Sequence, residues 1–367
     1  MRAKSTRVFY IYRTKRKSMW TAYKTGLSHS TFLYGLPELK KKGYQVEFSD
    51  AAYSPFNLLR YLLQPLENLN EYFLNYPIGF KLHQALLLWP KYTKADVIIA
   101  TQDSAGLPIL LLKLLGLVSP PVLYISNGLA NSFQKARNQF YLIFIKRLLQ
   151  KADALVCYSK KEQSILETFT QRRVIFIPLG IDTIFFKPDK NTTKHPIDIL
   201  AAGKDLFRDY STLCHAVKNT TWKTTIACSP ENIRGINIPK NVTLIYNATP
   251  QQMKQLYNQA KLVVVPMKQT HKTQGQVVFM EAAAMNKQII ASRVSGITHA
   301  YDLSEYDNLI LVKPESPTAL KKEIQRQLAS GNSTRSLKSI LFHDSISIQT
   351  YSNRLAGIIE QVKYDKK

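Results

Sequence analysis

One carboxylate sits inside an otherwise apolar run, Gly275-Gln276-Val277-Val278-Phe279-Met280-Glu281-Ala282-Ala283-Ala284-Met285. A buried carboxylate needs hydrogen-bond donors. Two adjacent ribose hydroxyls would supply a bidentate pair for Glu281; a neighbouring lysine or a loop would also serve. A second pair of residues invites chemistry. Lys204 and Arg208 follow the apolar strand "IDILAAG", one on each side of a short turn. Two fixed cations there would neutralise a nucleoside diphosphate as it departs, which is stabilisation of a leaving group; they also fit a surface loop. Metal chemistry has little to stand on in the sequence. None of the seven histidines forms an i, i+4 pair with another, and no Asp-x-Asp cluster occurs. His83 and His215 read as packed or surface residues, whereas His29 lies in a loop expected to face a cleft.

These residues must be held by particular elements. The strand "KLVVVPM", the polar loop 269–274 and a helix from Gly275 put a helix N-terminus at the carboxyl edge of a parallel sheet. That edge is where open α/β sheets bind ligands. The first helical turn leaves N–H groups unpaired and partly positive, which suits phosphate. Gly275 carries no Cβ to keep a ligand from the backbone.

The same alternation runs along the chain. "RVFYIY", "YQVEF", "DVIIAT", "PVLYIS", "DALVCYS" and "RVIFIPL" read as strands in the first half. "IDILAAG", "KTTIACS", "NVTLIYN", "KLVVVPM", "QIIAS" and "LILVKP" do so in the second. Helical patterns lie between most of them, so the class is α/β, with two parallel sheets. The 367 residues also suit two domains. The boundary falls in the polar stretch 177–196, giving domains 1–187 and 188–345, with a last helix in 346–367 expected to cross back onto the first. Residues 55–90 break the alternation and read as two or three short amphipathic helices. They are either a packed insertion or a surface for a lipid or a long acceptor.

At this point the sequence resembles the retaining glycosyltransferases of family 4. "GQVVFMEAAAMNKQIIAS" resembles their donor-nucleotide motif, and "VIFIPLGIDTIFFKP" their P-x-G-[IV]-D-x-x-x-F-x-P hinge segment. "DILAAGKDLFRDYSTLCHAV" resembles their phosphate-binding segment. The resemblance is good over residues 150–330 and confined to layout before that. It implies the GT-B fold, two Rossmann-like domains facing a cleft, and sugar transfer with retention from a nucleoside-diphosphate sugar, without a metal. Carried over by position, Glu281 holds the ribose. Lys204 and Arg208, beside Gly203, bind the diphosphate and act in catalysis. Thr273, Gln274, Gly275, Gln276 and Val277 face the diphosphate or sugar. His29, Asp103 and Asn127 are the candidates on the acceptor side. Three departures stand out: Thr273 replaces a glutamate common in the donor loop, Asn127-Gly128 follows "PVLYIS", and Gly26-Leu27-Ser28-His29 lacks paired glycines. A catalytically silent GT-B-like subunit that binds a sugar nucleotide or a partner enzyme is the alternative these departures raise.

Charge bears on the partner. The formal net charge is +25, leaning to the first half, where "RTKRKSMWTAYKTGLSHS" sets five cations beside Trp20 and Tyr23. With "LKKKG" and the insertion, this suits an anionic membrane surface and a lipid-linked, glycan or phosphorylated acceptor, or simply a basic surface. No recognition helix, zinc module or stacking motif points to nucleic acid. The first twenty residues lack the apolar core of a signal peptide, and no apolar run reaches the ~18 residues of a spanning helix. Three scattered cysteines suit a reducing compartment. The expected location is the cytoplasm, with peripheral binding to the inner face of the membrane as the reading the basic surface adds.

Overall fold

A computed structural model describes residues 5–49, 58–189, 196–269, 275–298, 306–330 and 342–365. All twelve expected strands form. They build two six-stranded sheets in which every strand pair is parallel.

The first unit holds residues up to Thr21, Phe32–Leu179 and those from Tyr351 on. Its strands are β1 (Arg7–Ile11), β2 (Gln45–Phe48), β3 (Val97–Thr101), β4 (Val122–Ser126), β5 (Ala154–Cys157) and β6 (Ile175–Phe176), in the order β2-β1-β3-β4-β5-β6. A strand covered on both faces reads as a continuous apolar run, as β1, β3 and β4 do. Period-2 alternation sends Phe9 and Ile11 into one core. Tyr10 and Tyr12 go to the other face, where their hydroxyls donate to the carbonyls of Tyr34 and Leu33. Tyr351, on the last helix Ile348–Tyr364, meets Tyr158 through a hydroxyl pair at 3.3 Å. Further along that helix Glu360 accepts from the Tyr44 hydroxyl.

The second unit holds Ala22–Thr31 and Gly180–Thr350. Its strands are β7 (Ile197–Ala202), β8 (Thr224–Cys228), β9 (Val242–Tyr246), β10 (Ala260–Val265), β11 (Gln288–Ser292) and β12 (Leu309–Val312), in the order β12-β11-β10-β7-β8-β9. Chain direction across the sheet reverses between β7 and β10, and the crevice outside such a point is where ligands bind.

The units divide differently from the boundary read at 187. The change comes at Gly180, and residues 22–31 group with the second unit because Asp182 holds them. Its Oδ2 accepts from both the backbone N and the hydroxyl of Ser30, its own N donates to Thr31 Oγ1, and its Oδ1 caps the turn at Ile184 and Phe185. Among the described residues the insertion forms two helices, Leu58–Leu74 and Leu82–Tyr92, in line with the two or three read from the sequence, though the first, at 17 residues, is longer than expected. Pro65 and Pro90 lie inside these helices, and each helix continues through its proline with one fewer backbone donor.

Candidate active site

The segments that carry Lys204, Arg208 and Glu281 leave β7 and β10, the two strands at the reversal point of the second sheet. They enclose a cavity of about 290 Å³, at the lower end of the range for small-molecule sites. Gly203, Lys204, Arg208, Val277, Val278 and Glu281 are among its walls.

Lys204 is exposed and Arg208 is buried. Arg208 Nε donates to Asp205 Oδ2 at 2.7 Å, whereas its buried Nη1 has no hydrogen-bond partner among the described residues. The arginine's backbone is fixed by a short antiparallel bridge to Met267, with Asp209 N donating to the Pro266 carbonyl and Lys268 N to the Phe207 carbonyl. Asp209 then caps the helix Tyr210–Val217 by accepting from Thr212 N. The guanidinium lies over Gly203, and the Tyr210 hydroxyl donates to the Gly203 carbonyl.

Glu281 is buried on the helix Gln276–Ala284, and its Oε2 accepts from the Tyr257 hydroxyl at 2.8 Å. Among the described residues no lysine pairs with it, and its Oε1 makes no hydrogen bond. Burial raises its pKa to about 7, against the downward pull of the Tyr257 hydroxyl and the Arg208 charge. Tyr257→Phe removes a donor to the charged form. It should therefore destabilise the fold more at pH 8 than at pH 5, by about 1–2 kcal/mol at the higher pH. Urea midpoints at the two pH values check this.

Gly275 also has a backbone reason to be glycine, beside the close ligand approach that the sequence suggested. Its φ is +83°, and a Cβ would meet Met267 Sδ at 3.3 Å and Val265 Cγ1 at 3.5 Å. The protein's own packing calls for the glycine. Gln276 is buried and Val277 half-buried in the same first turn. Thr273 and Gln274 lie outside the described residues.

The acceptor-side candidates separate. His29 belongs to the second unit, packed 5.7 Å from the Phe185 ring and 5.0 Å from that of Phe186. Burial lowers its pKa to about 4, with Asp182 opposing, so it is neutral at pH 7. Asp103 and Asn127 are in the first unit and meet, with Asn127 N donating to Asp103 Oδ1 at 3.2 Å. Tyr124 and Ser126 also donate to Asp103, whose pKa burial raises. Sequence reasoning missed Glu162, which accepts from Ser126 Oγ and Gly128 N at 2.8 Å each. Burial and the nearby Asp103 raise its pKa to about 7. Tyr257 and Asp205 were missed too; Asp205 lies between Lys204 and Arg208 in the sequence, whereas only the fold brings Tyr257 to the site.

Among the described residues, no group of three His, Cys, Asp or Glu side chains is placed to hold a metal ion.

Comparison with known proteins accounts for both halves. Residues 204–330 match the model of Glycosyl transferases group 1, and residues 36–185 match that of Glycosyltransferase Family 4. No curated protein matches the chain. Among solved structures, it is similar to sucrose-phosphate synthase from Thermosynechococcus elongatus (17% identity, TM-score 0.70, covering 98% of this chain and 100% of that one). It is also similar to Anabaena Alr3699/HepE in complex with UDP-glucose (12%, 0.65, 97% and 99%). The trehalose 6-phosphate synthase of Burkholderia multivorans is another (9%, 0.71, 100% of each chain). At these identities the structures speak for the fold, and the two family matches for the activity: the chain is a GT-B, family 4-like glycosyltransferase.

Proposed function

We propose that the enzyme moves a sugar, with retention, from a nucleoside-diphosphate sugar to a hydroxyl of a lipid-linked, glycan or phosphorylated acceptor. The observation that carries this is the cavity of the second unit. On one side lies a buried guanidinium N–H without a partner, on the other a carboxylate with one oxygen uncommitted. Glu281 would accept from the two ribose hydroxyls. Arg208 Nη1 and the Lys204 ammonium would take the diphosphate, and the amides of Gly275, Gln276 and Val277, with Thr273 and Gln274, would complete its cradle. The bond from the anomeric carbon to the phosphate oxygen breaks and the acceptor oxygen bonds on the same face. The acceptor's proton passes to the departing phosphate, so no protein base is required. The two cations meet the leaving group's charge, and the scheme uses no metal ion. UDP-glucose in the Anabaena relative supports the choice of donor class.

The acceptor is assigned to the first unit. Exposed Tyr61, Leu62, Leu66 and Tyr72 on the helix Leu58–Leu74, together with the net charge of +25, support contact with an anionic membrane surface on its cytoplasmic side. Among the described residues, no helix is long and apolar enough to cross a membrane.

A thermal-shift series with UDP-, GDP-, ADP- and CMP-sugars tests the donor reading. One donor should raise the melting temperature in EDTA-treated protein, since a ligand that binds only the native state stabilises it by mass action. Lys204→Ala should weaken that donor about tenfold, an exposed cation contributing about 1.4 kcal/mol through one charged contact. No shift with any sugar nucleotide would remove the assignment.

A further inference from the structure

We infer that the first unit carries a second anion site, a pocket for a phosphate group walled by Arg13, Arg60, Lys81 and the Ser104 hydroxyl. The cavity measures about 300 Å³ and none of its walls comes from the donor segments. It lies at the reversal point of the first sheet. Arg13 follows β1 and Ser104 follows β3, the neighbours between which strand order turns. Arg60 comes from the helix Leu58–Leu74, and Lys81 from the residue before the helix Leu82–Tyr92.

Ser104 is the most telling wall. It is only 2% exposed and its Oγ has no hydrogen-bond partner among the described residues. An orphaned hydroxyl is costly unless something in the cavity accepts from it. It sits in the first turn of the 12-residue helix Asp103–Leu114, whose partial positive charge favours an anion. Opposite it, the half-buried Lys81 donates to the Arg13 carbonyl at 2.7 Å. Burial and the nearby Arg13 and Arg60 charges lower the Lys81 pKa, Glu67 opposing. Like charges held this close are relieved by an anion between them.

Two carboxylates, Glu67 and Glu71, also face the cavity. Glu67 is already engaged, its Oε1 meeting both the backbone N of His83 at 2.9 Å and the His83 ring at 2.7 Å. The remaining excess is positive. Two arginines, an ammonium and a hydroxyl converging on one space suit a tetrahedral dianion with several acceptor oxygens. The carrier of that phosphate is a soluble molecule or a lipid. Calling that carrier the acceptor rests on the transferase reading; the binding itself does not.

The test is protection of Lys81 from brief acetylation of the full-length protein, read by mass spectrometry at constant ionic strength. Inorganic phosphate and phosphatidylcholine vesicles with or without phosphatidic acid are the two arms. A bound dianion should slow labelling of Lys81 by about fivefold or more, saturably, because it favours the protonated amine and covers it. Protection by phosphate supports the site with a soluble carrier. Protection by phosphatidic acid vesicles alone supports it with a lipid carrier. Arg60→Ala, at an exposed position whose loss empties no core, should raise the half-protecting concentration about tenfold. Unprotected Lys81 in both arms, or protection indifferent to Arg60→Ala, overturns the site. Lys204 labelling, followed in the same samples with a sugar nucleotide, reports the donor pocket separately, so either reading can fail alone.

Discussion

Glu281→Gln should give a protein that is more stable than its parent at pH 8 and barely able to hold a donor. The folded protein raises this carboxyl from its ordinary 4.5 to about 7. Between those pH values the folded state keeps a proton that the unfolded chain has released. Stability therefore falls as pH rises from 4.5 to 7, and the cost is fully present above 7, at about 3 kcal/mol. Glutamine keeps a carbonyl for the Tyr257 hydroxyl but has no charge to desolvate. Its advantage in melting temperature at pH 8 should vanish as pH approaches 4.5. The donor meets the opposite balance. Hydrogen bonds to a charged group contribute about 1.5–3 kcal/mol each, so losing the carboxylate across two ribose hydroxyls should weaken donor binding by about 100-fold. On the proposed donor reading, the carboxylate would be kept for the ligand at the expense of the fold, a trade seen where stability and activity conflict. Melting curves at pH 4.5 and 8, with donor titrations, check both halves. Unchanged donor affinity in Glu281→Gln would sink the ribose assignment, and a flat pH response would sink the buried-charge argument.

The sheets were legible because parallel strands covered on both faces are apolar along most of their length, so the runs 97–100 and 262–265 announce themselves. The place of the segment that carries Glu281 was legible too, since a strand, a loop and a helix N-terminus in sequence define a sheet edge. What stayed hidden depends on pairing across the fold. Tyr257 is 24 residues from Glu281 and carries no local mark of its role. Gly275 was found for the approach it leaves open, but its backbone reason was not, because a positive φ and neighbours such as Met267 show only in the fold. His29 was read as a loop residue facing a cleft on the acceptor side, and its packing against Phe185 and Phe186 shows only in the fold. Residues 22–31 looked like part of the first domain because their tie to Asp182 spans about 150 positions. A hydrogen bond of that range leaves no periodicity to read.

Gly203→Ala should disable catalysis almost as fully as Arg208→Ala, although it removes no functional group. A Cβ at position 203 would lie 2.2 Å from Arg208 Nε, 2.4 Å from Cζ and 2.6 Å from Nη2, on a backbone with φ +131°. The guanidinium must move, but Asp205 grips Nε at 2.7 Å and the bridge to Met267 fixes the backbone behind it. Its Nη1 would leave the line on which a departing diphosphate develops charge. Loss of one such donor lowers kcat by about 10²–10³-fold, and both variants should fall in that range. Each should also raise the pKa of Glu281, since the Arg208 charge pulls it down, so donor binding should need a higher pH. The alanine adds backbone strain of about 1–3 kcal/mol, which a melting curve would register separately. Because both changes act through one guanidinium, the double variant should be little worse in kcat than either alone. If Gly203→Ala kept near-parental kcat, or if the two losses multiplied, Arg208 would not be the cation that meets the leaving group.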